Sequence, residues 1–265
     1  QLLDSFTVNA AHYAAVLNPS DELWNRYPES LKYHLEMLHF IRVTQGRPLL
    51  LAAVQRFKDQ PQQLEKVLKT VLNWSVRLLI SGRLGSGSLE EKYGEVARAL
   101  NKGEIKTIAE MTEKFSPYVP TDAQFEAAFA TADVSKAYLA KYYLITLEQH
   151  VRTPNQKDDP HWDVSKRGGV NLEHILPKSL KEARKPLGEW VFRLGNIVLM
   201  QASKNAQLGS ADYSPRKSEA LSASDFVLTQ EAGGKKHWGP DEISERQSRL
   251  AKLAVSVWPI RVGGK

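Results

Sequence analysis

Apolar positions recur at three- and four-residue steps through the first 150 residues, which predicts helix after helix. Leu31, Leu35, Leu38 and Ile41 mark one face of an amphipathic helix behind the Tyr27-Pro28 break. Leu64, Val67, Leu68, Val71, Leu72, Val76 and Leu79 mark a broad stripe on a longer one opened by Pro61. Shorter helices are expected over 8–17, with Ser20 placed to cap the next turn, and over 49–57 behind Pro48. After the Gly/Ser break at 81–87, Ser88 and Glu91 read as a capping box ahead of Tyr93, Val96 and Leu100. Segments 105–115, 121–130 and 135–150 complete the run, with no strand and no internal repeat.

The period changes at Val170. Val170, Leu172, His174 and Leu176 alternate with Asn171, Glu173 and Ile175 until Pro177, so a short strand is expected, with Glu173 and His174 on opposite faces. A helical-looking insert follows, then a second apolar run opened by Gly195-Asn196, then a further polar residue, Asn205. Beyond these lie a short helix over 214–221 carrying Arg216 and Lys217, a cap at 222–225, and a loop carrying Lys235, Lys236, His237 and Trp238. In a last helix over 241–257, Ile243, Leu250, Leu253, Ala254 and Val257 are expected to face a core, with Arg246, Arg249 and Lys252 facing out. The expected fold class is α+β, predominantly helical, with a helical domain over 1–150 and a second domain over 151–265.

Charge follows the same division. Residues 151–265 hold 19 Lys+Arg against 13 Asp+Glu, a net of +6, while residues 1–150 hold 17 of each. A basic surface attracts polyanions, although it also serves ordinary solubility. The chain has no cysteine, which excludes disulfides, zinc-knuckle ligands and thiol nucleophiles. No apolar run approaches the roughly 18 residues of a membrane span. No signal-peptide pattern opens the chain, so a cytoplasmic, soluble protein without membrane contact is expected. The chain begins with Gln1, and a C-terminal piece of a longer protein is the expectation.

Glu173 and His174 have chemistry in common with the amide oxygens downstream. Hydrolysis of a phosphodiester needs an activated water and a cation that takes up charge on the phosphate, and a histidine, a carboxylate and an amide oxygen can supply that set. His12, His34, His39 and His150 have no comparable neighbours at metal-ligand spacing and read as ordinary helix histidines.

Glu173-His174-Ile175-Leu176-Pro177, Leu194-Gly195-Asn196, Asn205 nine residues later, and Lys217 together resemble the HNH (ββα-metal, His-Me finger) nucleases. The closer likeness is to the C-terminal nuclease domain of GmrSD-type modification-dependent restriction endonucleases and related SspE-like phage-defence proteins. That resemblance covers roughly residues 165–260 and implies a metal-dependent DNA endonuclease of restriction or antiviral defence. His174 would be the general base, Asn196 would tie the motif's loop and orient His174, and Lys217 would contact a phosphate. Glu173 and Asn205 would hold one Mg²⁺ or Mn²⁺. Lys166, Arg167, Lys178, Arg193, Lys204, Arg216, Lys217, Lys235 and Lys236 are the candidate DNA contacts.

Many HNH proteins carry Asp before the His and His at the third position, whereas this chain has Glu and Asn, as in the GmrSD-like branch. The family's Asp-Gly-Gln-Gln-Arg signature does not occur here, and neither does a Gly-rich phosphate loop. Nucleotide hydrolysis and modification sensing are therefore expected in a separate N-terminal domain of the same polypeptide. Two other functions remain open at this stage: a non-catalytic DNA-binding module, and a regulatory helical scaffold with a degenerate nuclease fold.

Overall fold

Proline positions set the first helices. In the computed structural model, which describes residues 2–83, 87–152, 169–182, 186–201 and 213–262, α1 (Leu2–Leu17) ends before Pro19. Ser20 does not cap the following 3-10 turn; the Asp21 carboxylate accepts from Leu23 N–H instead. Pro28 stands at the N-cap of α2 (Glu29–Phe40), and prolines occupy the first turns of α3 (Arg47–Phe57) and α4 (Pro61–Ile80), where a helix has no use for the missing N–H. α5 (Gly87–Asn101) begins one residue before Ser88, so Ser88 lies in its first turn rather than at its cap. α6 (Ile108–Phe115) starts later than its apolar pattern suggests, because Thr107 and Glu110 form a reciprocal capping box there. α7 (Asp122–Thr131) and α8 (Ala137–Val151) follow.

β1 (Val170–His174) pairs antiparallel with β2 (Ile197–Gln201), Glu173 opposite Val198 and His174 opposite Ile197. Between them the expected insert is a single turn, α9 (Ser179–Glu182), followed by 3-10 turns at Pro186–Trp190 and Leu194–Asn196. α10 (Pro215–Ser222), α11 (Val227–Gln230) and α12 (Pro240–Val257) complete an α+β, predominantly helical chain. No helix among the described residues is long and apolar enough to cross a membrane.

Two compact units result, one of Gln1–Phe125 with Trp258–Lys265 and one of Glu126–Val257. In the first, Trp74 stacks on Phe115 at 4.5 Å and Tyr93 packs on the same ring. Arg77 is buried there, donating from Nε to Trp258 O, from Nη1 to Pro120 O and from Nη2 to Asp122 Oδ1 at 2.6 Å. Burial lowers its pKa against the opposing pull of Asp122. Asn73 and Trp74 donate to the carbonyls of Pro259 and Ile260, so α4 holds the Trp258–Ile260 segment by side-chain donors.

The second unit places Ile175, Leu176, Val198, Met200, Leu221, Ala232, Trp238 and Ile243 in one core. α8 belongs to this unit and supplies its buried Glu148. That carboxylate accepts from Val227 N–H and Leu228 N–H, satisfying the first donors of α11, and from Arg152 Nε. The boundary drawn by contacts thus falls at Phe125–Glu126, ahead of the shift in charge at 150.

Candidate active site

The end of β1 and the turn into β2 are joined by one amide. Ile175 N–H donates to Asn196 O, and the Asn196 side chain then continues the ladder by itself. Its Oδ1 accepts from Leu176 N–H at 2.8 Å, and its Nδ2 donates to Leu176 O at 3.1 Å. The same amide accepts from Trp238 Nε1 and donates to Val191 O. Two acceptor and two donor positions are all that an asparagine amide offers. Asn196, 0% exposed, therefore fixes the backbone just after His174.

His174 is 8% exposed at the end of β1, with Phe192 edge-on to its ring at 5.6 Å. Burial pushes its pKa down to about 4, and the charges of Lys178 and Lys217 push the same way. The ring is therefore neutral near pH 7.

Glu173 stands beside it on the other face of the strand, with its side chain 13% exposed. Its Oε1 lies 2.7 Å from Lys217 Nζ, which is 2% exposed and also reaches Ile175 O at 3.1 Å and His174 O at 3.3 Å. Lys217 is the third residue of α10, whose N-cap, Ser214, accepts from Lys217 N–H. The expected phosphate contact is thus a buried ammonium directed at Glu173 and at the carbonyl end of β1, because α10 turns this face toward the strand.

The support behind the motif was not expected. Gly195 lies so close to α12 that a Cβ there would meet Ile243 O at 2.1 Å. Its N–H donates to Gln247 Oε1, and Gln247 Nε2 donates to Phe129 O and Ala132 O. Arg246, assigned to the outer face of the last helix, is 5% exposed and points inward. Nη1 donates to Leu194 O, Gly195 O and Ile197 O, and Nη2 donates to Leu228 O. Burial pulls its pKa down to about 10. Together these two side chains hold the turn that presents Asn196.

The remaining candidate residues divide by exposure. Lys178, Arg216 and Lys236 are exposed. Lys235 pairs with Glu245 at 2.9 Å. Arg193 is engaged by the fold: Nε donates to Gln247 Oε1, Nη2 donates to Ala130 O, and the guanidinium lies over the Trp190 ring. Lys166, Arg167, Lys204 and Asn205 lie outside the described residues.

Among the described residues no group of three or more His, Cys, Asp or Glu could hold a metal ion. The side chains at the end of β1 still suit one kind of site. Mg²⁺ keeps much of its water and binds through one or two carboxylates plus phosphate oxygens, and Glu173 offers an oxygen beyond the one that Lys217 holds.

Glu173 and His174 thus stand as neighbours at the end of one strand of a two-stranded antiparallel sheet, inside a mostly helical unit. The sequence matches the GmrSD restriction endonuclease C-terminal domain over residues 119–253, just over half of the chain. The chain belongs to that family, a nuclease module with DNA as its substrate. No curated protein matches it.

Proposed function

We propose that this chain is a metal-dependent DNA endonuclease of the HNH type, serving a restriction or antiviral defence protein of the cytoplasm, with His174 as general base. The observation that carries the reading is the placement of Glu173 and a buried, neutral His174 as consecutive residues at the end of β1, within the matched region. His174 takes a proton from the water that attacks the phosphodiester. Asn196 contributes by holding Leu176 on both its N–H and its C=O, which fixes the backbone that carries the imidazole. Phe192 packs edge-on against the ring. Glu173, with Asn205, would hold one Mg²⁺ or Mn²⁺, which when bound neutralises charge on the phosphate and the leaving oxygen.

Exposed Lys178, Arg216 and Lys236 are assigned to the DNA backbone, as cations that position without reading sequence. The family resemblance adds a nucleotide-hydrolysing sensor domain of the same polypeptide as partner.

Nicking of a supercoiled plasmid tests this reading. The chain should cut with Mg²⁺ or Mn²⁺ and stop in EDTA. A DNA-binding module would shift mobility without cutting, and a scaffold would do neither. His174→Ala should bind DNA as the parent does and cut about 10²–10⁴-fold more slowly, the usual worth of a positioned base. Cutting at the parental rate would place the base elsewhere.

A further inference from the structure

We propose that Lys217 is the resident counter-ion of Glu173, holding that carboxylate and the end of β1 when no divalent cation is bound and competing with the divalent cation for it. The inference rests on the reading of Glu173 as a metal ligand. Lys217 Nζ is 2.7 Å from Glu173 Oε1 and within 3.3 Å of the carbonyls of His174 and Ile175, at 2% exposure. An ammonium so placed does two things: it neutralises a largely buried carboxylate, and it ties α10 to the carbonyls of the last residue of β1 and of the residue after it. Burying either charge without the other is costly, so each accounts for the other's burial. A divalent cation on the same carboxylate is brought close to a fixed positive charge, and like charges at that range oppose each other strongly. Lys217 therefore weakens divalent binding at Glu173 while it keeps the metal-free motif ordered. A phosphate-contacting lysine has neither effect: its removal weakens DNA binding and leaves the affinity for metal unchanged.

The test needs no DNA. Mn²⁺ affinity is measured by calorimetric titration, and the melting temperature is measured in EDTA and at saturating Mn²⁺. Lys217→Met should melt lower than the parent in EDTA and bind Mn²⁺ about tenfold tighter or more, since the fixed like charge is gone. It should also gain more in melting temperature from Mn²⁺ than the parent does. Lys217→Arg, which retains the charge, should keep the parental affinity. Unchanged or weaker Mn²⁺ binding by Lys217→Met overturns the proposal.

If Lys217→Met does not fold in EDTA, adding Glu173→Gln decides the matter. Removing both charges should restore much of the lost stability, and failure to do so overturns the pairing. Glu173→Gln alone should lose Mn²⁺ binding. Retention of parental Mn²⁺ binding by that variant would instead reject Glu173 as a ligand.

Discussion

An imidazole moved out of water is penalised more as a cation than as a neutral ring, and among the described histidines His12, His34 and His174 show the effect. His34 in the first unit and His174 in the second are both pushed down to about 4, in each case by burial first. For His34 the charge of Lys69 adds to burial and Glu65 opposes it. A folded-state pKa below the unfolded value of about 6.5 means that the unfolded chain binds the proton more readily. The stability owed to the neutral rings is fully present above that value and is lost as the pH falls toward about 4. Urea midpoints followed across this window should decline. His34→Phe should flatten the decline, since carboxylates titrating nearby are common to both proteins. An unchanged slope in His34→Phe would remove His34 as a cause.

At the scale of single elements, α12 shows what the sequence made legible. Helix limits were readable where a residue's own chemistry stops or starts a helix, as at Pro28 and Pro61. β1 was readable from the alternation that begins at Val170, whereas its partner showed only as a second apolar run opened by Gly195-Asn196. Arg246 was misread by type, because a cation is usually solvated. Its spacing of three residues from Ile243 and four from Leu250 nonetheless puts it on the buried face. Carbonyls of a distant turn and of Leu228 make that burial acceptable, and no local pattern announces them.

The expected outcome for Arg246→Met, which leaves those carbonyls without their donors, is a loss of about 3 kcal/mol or more in urea unfolding. Arg249→Ala, at an exposed pair with Glu231, should stay within about 0.5 kcal/mol. Equal effects from the two would mean that the inward contacts contribute nothing. At the site, the pairing of Glu173 with His174 was legible from adjacency. The tie between Lys217 and Glu173 was not, because 44 residues separate them in sequence and only the packing of α10 brings them together.

At the scale of the whole chain, periodicity shows that a segment is helical but not which neighbours it packs with. α8 therefore read as the last helix of the first half, although Glu148 caps α11 some 80 residues later. The Trp258–Ile260 segment belongs to the first unit for a similar reason. Its carbonyls take the donors of Asn73, Trp74 and Arg77 across 186, 186 and 181 residues. A fragment of residues 1–150 should accordingly melt lower and be cut faster by protease than the same residues in the full chain. A first unit equally stable in both would show that α4 does not need those partners.

Synthesis on the ribosome runs from the N-terminus, so three donors on α4 wait for acceptors that are made only after Val257. The unit that begins first cannot reach its final packing until the whole of the unit carrying His174 has been translated. The packing of α4 is therefore completed by a segment made after that unit.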